Sequence, residues 1–425
     1  MRLLSNTTSD CPSSSDRPSR GFLIPVTVCL AMLAAIPLSA QDEPKDGDEP
    51  KTPTSAEQSK LLLREVLTLQ RDLSRVFESG ELDDDSEDLT KLQRMLSIHL
   101  ETWKLESNLS GIPKLRQRLV AVMRKLGAAS ASDQAHNRAN AYLLQELPKM
   151  FRDSELHIAT RFNAMLQMAE LNQKELSTLG KGVAVPLPAV YPLLTNSFSS
   201  TEKELPDAVR VAALYGLTLH ARPELPQRNE LQALMLATLN DKQVPATRSP
   251  EAHVWVRRRA IGILAGLRSM GTPGNGTAIV DRFVSLVNDK ENESIQLRCD
   301  AARALGQFNF ALAGNVELVG ITTALGQLAM EVVESDAGQQ QKKSRLHCVR
   351  TGLMGPNVEE PAGIAVAVVG DDKQLVDGLL GQLTQFEKVF SDSSKKYDED
   401  FEKAVDEFKS WFLKNAVDSK TATAG

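Results

Sequence analysis

The chain has 425 residues, long enough for two or three ordinary domains or for one extended repeat array without a single central core. Hydrophobic residues make up 42% and charged residues 24%, the balance of a chain that folds, and aromatics only 5%. A formal net charge of −6 at pH 7 gives no basic footprint, so nucleic acid and anionic lipid are set aside as partners.

At the amino terminus Arg17 and Arg20 precede an apolar stretch, residues 22–38, which ends in Leu38-Ser39-Ala40 before Gln41. A basic region, an apolar run and small residues at a cut site are the parts of a secretory leader, so residues 1–40 are expected to be a signal peptide. The run is long for a signal segment and short for a spanning helix, and Pro25 and Pro37 interrupt it. An uncleaved membrane anchor therefore stays open as the alternative. Residues 41–55 carry charge, Pro and Gly with nothing apolar to bury, and are expected to be a disordered tether. Cys11 and Cys29 fall in the leader, which leaves a cleaved chain with Cys299 and Cys348. Two cysteines are no disulfide framework, and whether they pair is left open.

Periodicity then changes. Leu62, Val66, Leu69, Leu73, Val76 and Phe77 fall at steps of three and four and predict one long amphipathic helix. An acidic connection, residues 81–88, separates it from a second helix begun by Leu89, Leu92, Met95, Leu96 and Leu100, so residues 56–109 are expected to form an N-terminal helical pair. No succession of segments alternates with period two, and no sheet is expected.

From about residue 110 the chain repeats itself. Arg298, with Ala301, Ala302 and Leu305 three, four and seven positions on, matches Arg257 with Ala260, Ile261 and Leu264. The frame also fits Arg116, Arg161 and Arg210, and more loosely Arg345, where Gly352 stands at the larger apolar position. Successive arginines are 45, 49, 47, 41 and 47 residues apart. Small residues at offsets three and four let a helix approach its antiparallel partner closely, and the apolar residue at offset seven extends that face by a turn. The period and the Arg-x-x-Ala-Ala-x-x-Leu-Gly string of residues 298–306 resemble the second helix of HEAT repeats, over about residues 110–360. The resemblance implies an all-α superhelix of antiparallel helix pairs, a solenoid expected to run over residues 110–390. HEAT repeats commonly place an Asp just ahead of this helix. Asp207 fits, three residues before Arg210, whereas Val254, Ile295 and Lys342 depart.

Gly and Pro clusters at residues 180–192, 271–276 and 355–356 mark the turns between helix pairs. Residues 391–425 close the chain with Tyr397, Phe401, Val405, Phe408 and Phe412 in one stripe and Trp411 alongside, expected to be an amphipathic capping helix, with a docking helix as the other reading.

Catalytic signatures are absent from the sequence: it has no His-Glu-x-x-His, Gly-x-Ser-x-Gly, phosphate-binding glycine loop or Cys-x-x-Cys. No metal or cofactor is expected. Stacked repeats would align the arginines into rows, either as structural ion pairs between repeats or as guanidiniums that recognise carboxylates or phosphates. Arg258, Arg303 and Arg350 are the candidate partner-binding residues under the second reading. The expected function is a non-catalytic, exported, periplasmic or secreted scaffold that binds another protein, an acidic one by the charge of the row. A HEAT-fold enzyme, hydroxylase-like or DNA glycosylase-like, and a membrane-anchored helical subunit of a complex are the alternatives.

Overall fold

The computed structural model describes residues 53–129, 131–176, 183–202, 205–312, 316–356, 362–391 and 397–422. The expected signal peptide and residues 41–52 of the expected tether lie outside them. The described residues form an all-α structure. Its first helices are α1 (Ser55–Asp72), α2 (Ser74–Ser79), α3 (Glu87–Lys104), α4 (Ile112–Gly127), α5 (Gln134–Arg152) and α6 (Ile158–Ala169). The middle of the chain adds α7 (Tyr191–Ser199), α8 (Asp207–His220), α9 (Arg228–Asn240), α10 (Pro250–Gly266), α11 (Ala278–Asn288) and α12 (Ile295–Leu305). Last come α13 (Leu318–Glu334), α14 (Gln339–Met354), α15 (Asp371–Ser391) and α16 (Tyr397–Ala422).

Three expectations need correcting. Helix α1 starts at Ser55, inside the expected tether, because Thr54 and Glu57 form a capping box: the Thr54 hydroxyl accepts from the Glu57 amide and the Glu57 carboxylate accepts from the Thr54 amide. The expected single helix over residues 62–77 breaks at Leu73 (φ −88°, ψ 12°), and the redirected short α2 buries Val76 and Phe77. A two-stranded antiparallel hairpin, β1 (Asn172–Lys174) with β2 (Val185–Pro186), stands where no sheet was expected. Strands of three and two residues are too short to show alternation in sequence.

Packing follows a regular order. Helix α5 lies on α6, α7 on α8, α9 on α10, α11 on α12, α13 on α14 and α15 on α16, while α4, α6, α8, α10, α12 and α14 also touch in succession. Each pair exposes an apolar face that its neighbour covers, as a lone pair cannot. Helix α6, between α5, α4 and α8, buries nine of its twelve residues. The aromatic stripe of α16 lies against α13 and α15: Phe408 is buried edge-on to Phe386, and Phe412 reaches the space beside Gly326.

Glycine explains the loosest copy of the repeat. A Cβ on Gly352 of α14 would sit 2.3 Å from the carbonyl oxygen of Ala302 on α12, and one on Gly306 would sit 2.0 Å from that of Thr351. The two backbones approach so closely that neither position accepts a side chain. Gly352 departs from the larger apolar residue of the other copies because this contact requires it.

The frame arginines reach back before they reach out. The Nε of Arg161, Arg257 and Arg298 donates to the carbonyls of Phe151, Leu239 and Val287, at 3.0, 3.0 and 2.8 Å. Each acceptor is the last residue but one of the preceding helix, where carbonyls have no partner within their own helix and the macrodipole favours a cation. The remaining donors of two of them cross to the next element. Arg257 grips Glu293, just ahead of α12, at 2.8 and 2.7 Å, and Arg298 grips Glu331 of α13 at 2.7 and 3.1 Å. Burial pushes the Glu293 carboxyl up, but Arg257 and then Lys242 outweigh it and hold the group below its ordinary value. Arg210 departs, donating through Nη2 to the Glu202 carbonyl, and Asp207 pairs instead with Arg248, ahead of α10.

Candidate partner-binding surface

The packed helices α10 and α12 bring two of the three candidate arginines onto one carboxylate. Arg258 donates through Nε to Asp300, and Arg303 through Nη2 to the same side chain at 2.8 Å. Asp300 is buried, while the side chains of Arg258 and Arg303 keep 38% and 34% of their surface in solvent. Their outer faces are therefore accessible while Asp300 fixes their position. Arg350, on α14, is not brought to this carboxylate: its ion-pair partner is Glu387 of α15, at 3.5 Å. Arg303 and Arg350, which share a frame position, thus have different partners, and Arg303 shares its carboxylate with Arg258 instead.

Beneath the shared pair lie two thiols. Cys299 and Cys348 are buried and free, with no disulfide between them. Burial, with Cys348 adding, pushes the Cys299 thiol up to about 12, and burial raises Cys348 as well. Both stay protonated at neutral pH and fill space as small apolar groups.

A second polar group lies on α8 and α10. On α10 the Arg259 guanidinium lies over the Trp255 ring, 4.8 Å from its centroid, a geometry set by their spacing of four. Tyr215, half-buried on α8, has its phenol pushed up mainly by burial and further by Glu170, with Arg116 and Arg259 acting against them. Arg116 pairs with Glu170 at the end of α6. Sequence reasoning singled out Arg258 and Arg303 but missed Asp300, Trp255 and Tyr215. Tyr215 occupies offset five in the frame, the position of Arg303 and Arg350, so frame alignment marks it. Asp300 carries no comparable mark.

Among the described residues no three His, Cys, Asp or Glu side chains converge as a metal site requires, and no described helix is long and apolar enough to cross a membrane. Comparison with protein-family models, with curated proteins and with solved structures finds no match to this chain.

Proposed function

We propose that the chain is a non-catalytic, exported scaffold whose helix pairs stack as a HEAT-like solenoid and which binds an acidic protein surface through Arg258 and Arg303. The observation that carries the binding site is the pair of part-exposed guanidiniums held side by side on one buried carboxylate, since fixed planar donors recognise partner carboxylates in pairs. Support for the solenoid comes from the arginine period and from the unbroken succession of contacts α4, α6, α8, α10, α12, α14. Export rests on residues 17–41 alone.

Binding of a labelled poly-glutamate peptide tests the site. Replacing both Arg258 and Arg303 by Ala should weaken it, and added salt should weaken the wild type in the same direction. Unchanged affinity in the double variant removes the pair from any binding role. Export is tested by sequencing the amino terminus of the mature protein, expected at Gln41. An intact leader on protein extracted only with detergent would instead make the chain a membrane-anchored subunit.

A further inference from the structure

We propose that the groove between α1 and α4 binds a small amphiphilic anion, an aliphatic carboxylate whose chain lies in the groove and whose head meets the cations at its rim. The cavity has a volume of about 440 Å3, within the range of small-ligand sites. Leu63, Val66 and Leu67 form one wall, with Gln70 completing steps of three, four and seven along one face of α1. The other wall has the same spacing: Arg118, Ala121, Val122 and Lys125 on α4. Each wall is about 10 Å long by the rise of a helix. That length suits a chain of several methylenes better than a docked helix, which uses such anchors over more turns.

The floor carries an unsatisfied polar group. His99 of α3 lines the cavity and is 2% exposed, yet neither ring nitrogen has a hydrogen-bond partner. Burial, with the charge of Arg118 adding, pushes this imidazole down to about 4, so at neutral pH it is uncharged and offers one N–H and one lone pair. A charged ring beneath an apolar chain would be costly, and the neutral imidazole lets the chain lie over it while the head stays at the rim. Charge at the mouth matches such a ligand. Arg118 and Lys125 are exposed, and neither has a carboxylate partner among the described residues; Lys125 rests 4.6 Å from the centroid of the Phe77 ring. Apolar walls, an uncharged floor and two cations at the rim together select an anion with an apolar tail over a neutral or cationic one.

Calorimetric titration of the full chain with decanoate, below its aggregation concentration, is expected to saturate. Decyltrimethylammonium, with the same tail and the opposite charge, is expected not to bind. Arg118→Glu, at an exposed position, should weaken decanoate by at least about tenfold. Ala121→Trp, also exposed, should fill the groove and abolish binding, with helicity and melting retained in both variants. Decanoate that fails to saturate, that binds no better than the cation, or that keeps wild-type affinity in either variant overturns the proposal. So does saturable binding of a peptide of residues 22–38 in place of decanoate, which would assign the groove to the chain's own apolar segment.

Discussion

Helices α9–α14 and helices α1–α4 treat their polar groups in opposite ways. In the first region the buried Arg257 and Arg298 spend nearly all their donors inside the protein, one on the carbonyl end of the preceding helix and the rest on a carboxylate of the next element. In the second, Arg116 at the same frame position holds Glu170 but leaves its Nε without a partner, and His99 has none on either nitrogen. A guanidinium that caps one helix and grips the next fixes the spacing of successive elements. A region without that brace can keep a groove open between its helices.

The largest effect that would break this contrast is expected at Arg257. Arg257→Ala uncaps α9 and takes from the buried Glu293 its two-pronged partner, leaving it to the single ammonium of Lys242 and the more distant charge of Arg282, a loss of about 3–5 kcal/mol. Arg116→Ala should cost less, because Glu170 is partly exposed and can be solvated. Urea unfolding of the two variants measures the difference; equal losses would mean that the α9–α14 braces are not special. Ala301→Arg, at a position with no exposed surface, should cost about 3 kcal/mol or more by overpacking and by burying an unpaired charge.

Acid should loosen α3 and α8 before the braced helices α10 and α12. Burial pushes His99 of α3 and His220 of α8 down to about 4 from an ordinary value of 6.5. The unfolded chain takes up those protons first, so the stabilisation is complete above pH 6.5 and is lost as pH falls towards 4, up to about 3 kcal/mol for each ring. Glu293 has a lowered value, so its contribution is retained until pH falls below the ordinary carboxylate range. Hydrogen exchange between pH 6.5 and 4.5 should therefore show α3 and α8 loosening before α10 and α12. Simultaneous loosening would contradict the assignment.

Smaller effects sharpen the contrast at its edges. Thr54→Ala removes the hydroxyl half of the capping box and should cost about 1 kcal/mol, read as fraying of α1 alone. Arg303→Ala should cost under about 1 kcal/mol, since its side chain is part-exposed and Arg258 still neutralises Asp300.

Much of the helical order was legible because it rests on local rules. At the start of α10 Ser249 caps the helix, accepting from the Ala252 amide, with Pro250 and Glu251 in the first turn, all residue types that local rules place there. Arg at a fixed period with small residues behind it was legible too. Which arginines are buried was not, because that depends on where the preceding helix ends and where a carboxylate lies 33 to 36 residues later. Arg257 and Arg258 are neighbours in sequence, yet one is sealed inside and the other reaches solvent. The break at Leu73 escaped for a related reason: its apolar spacing continues unchanged, and only the packing of α2 on α4 redirects the backbone. His99 and the groove gave no signal, since an isolated histidine in a helix says nothing about its partners.

The most direct test of the brace is a double-mutant cycle on Arg257 and Glu293, with Arg257→Met, Glu293→Leu and the pair together, followed by equilibrium unfolding. If the two side chains form one buried unit, each single variant is strongly destabilised, the double variant recovers much of the loss, and the coupling is about 2–3 kcal/mol. Additive losses, with coupling below about 0.5 kcal/mol, would show that the two groups act independently and would remove the brace from the fold.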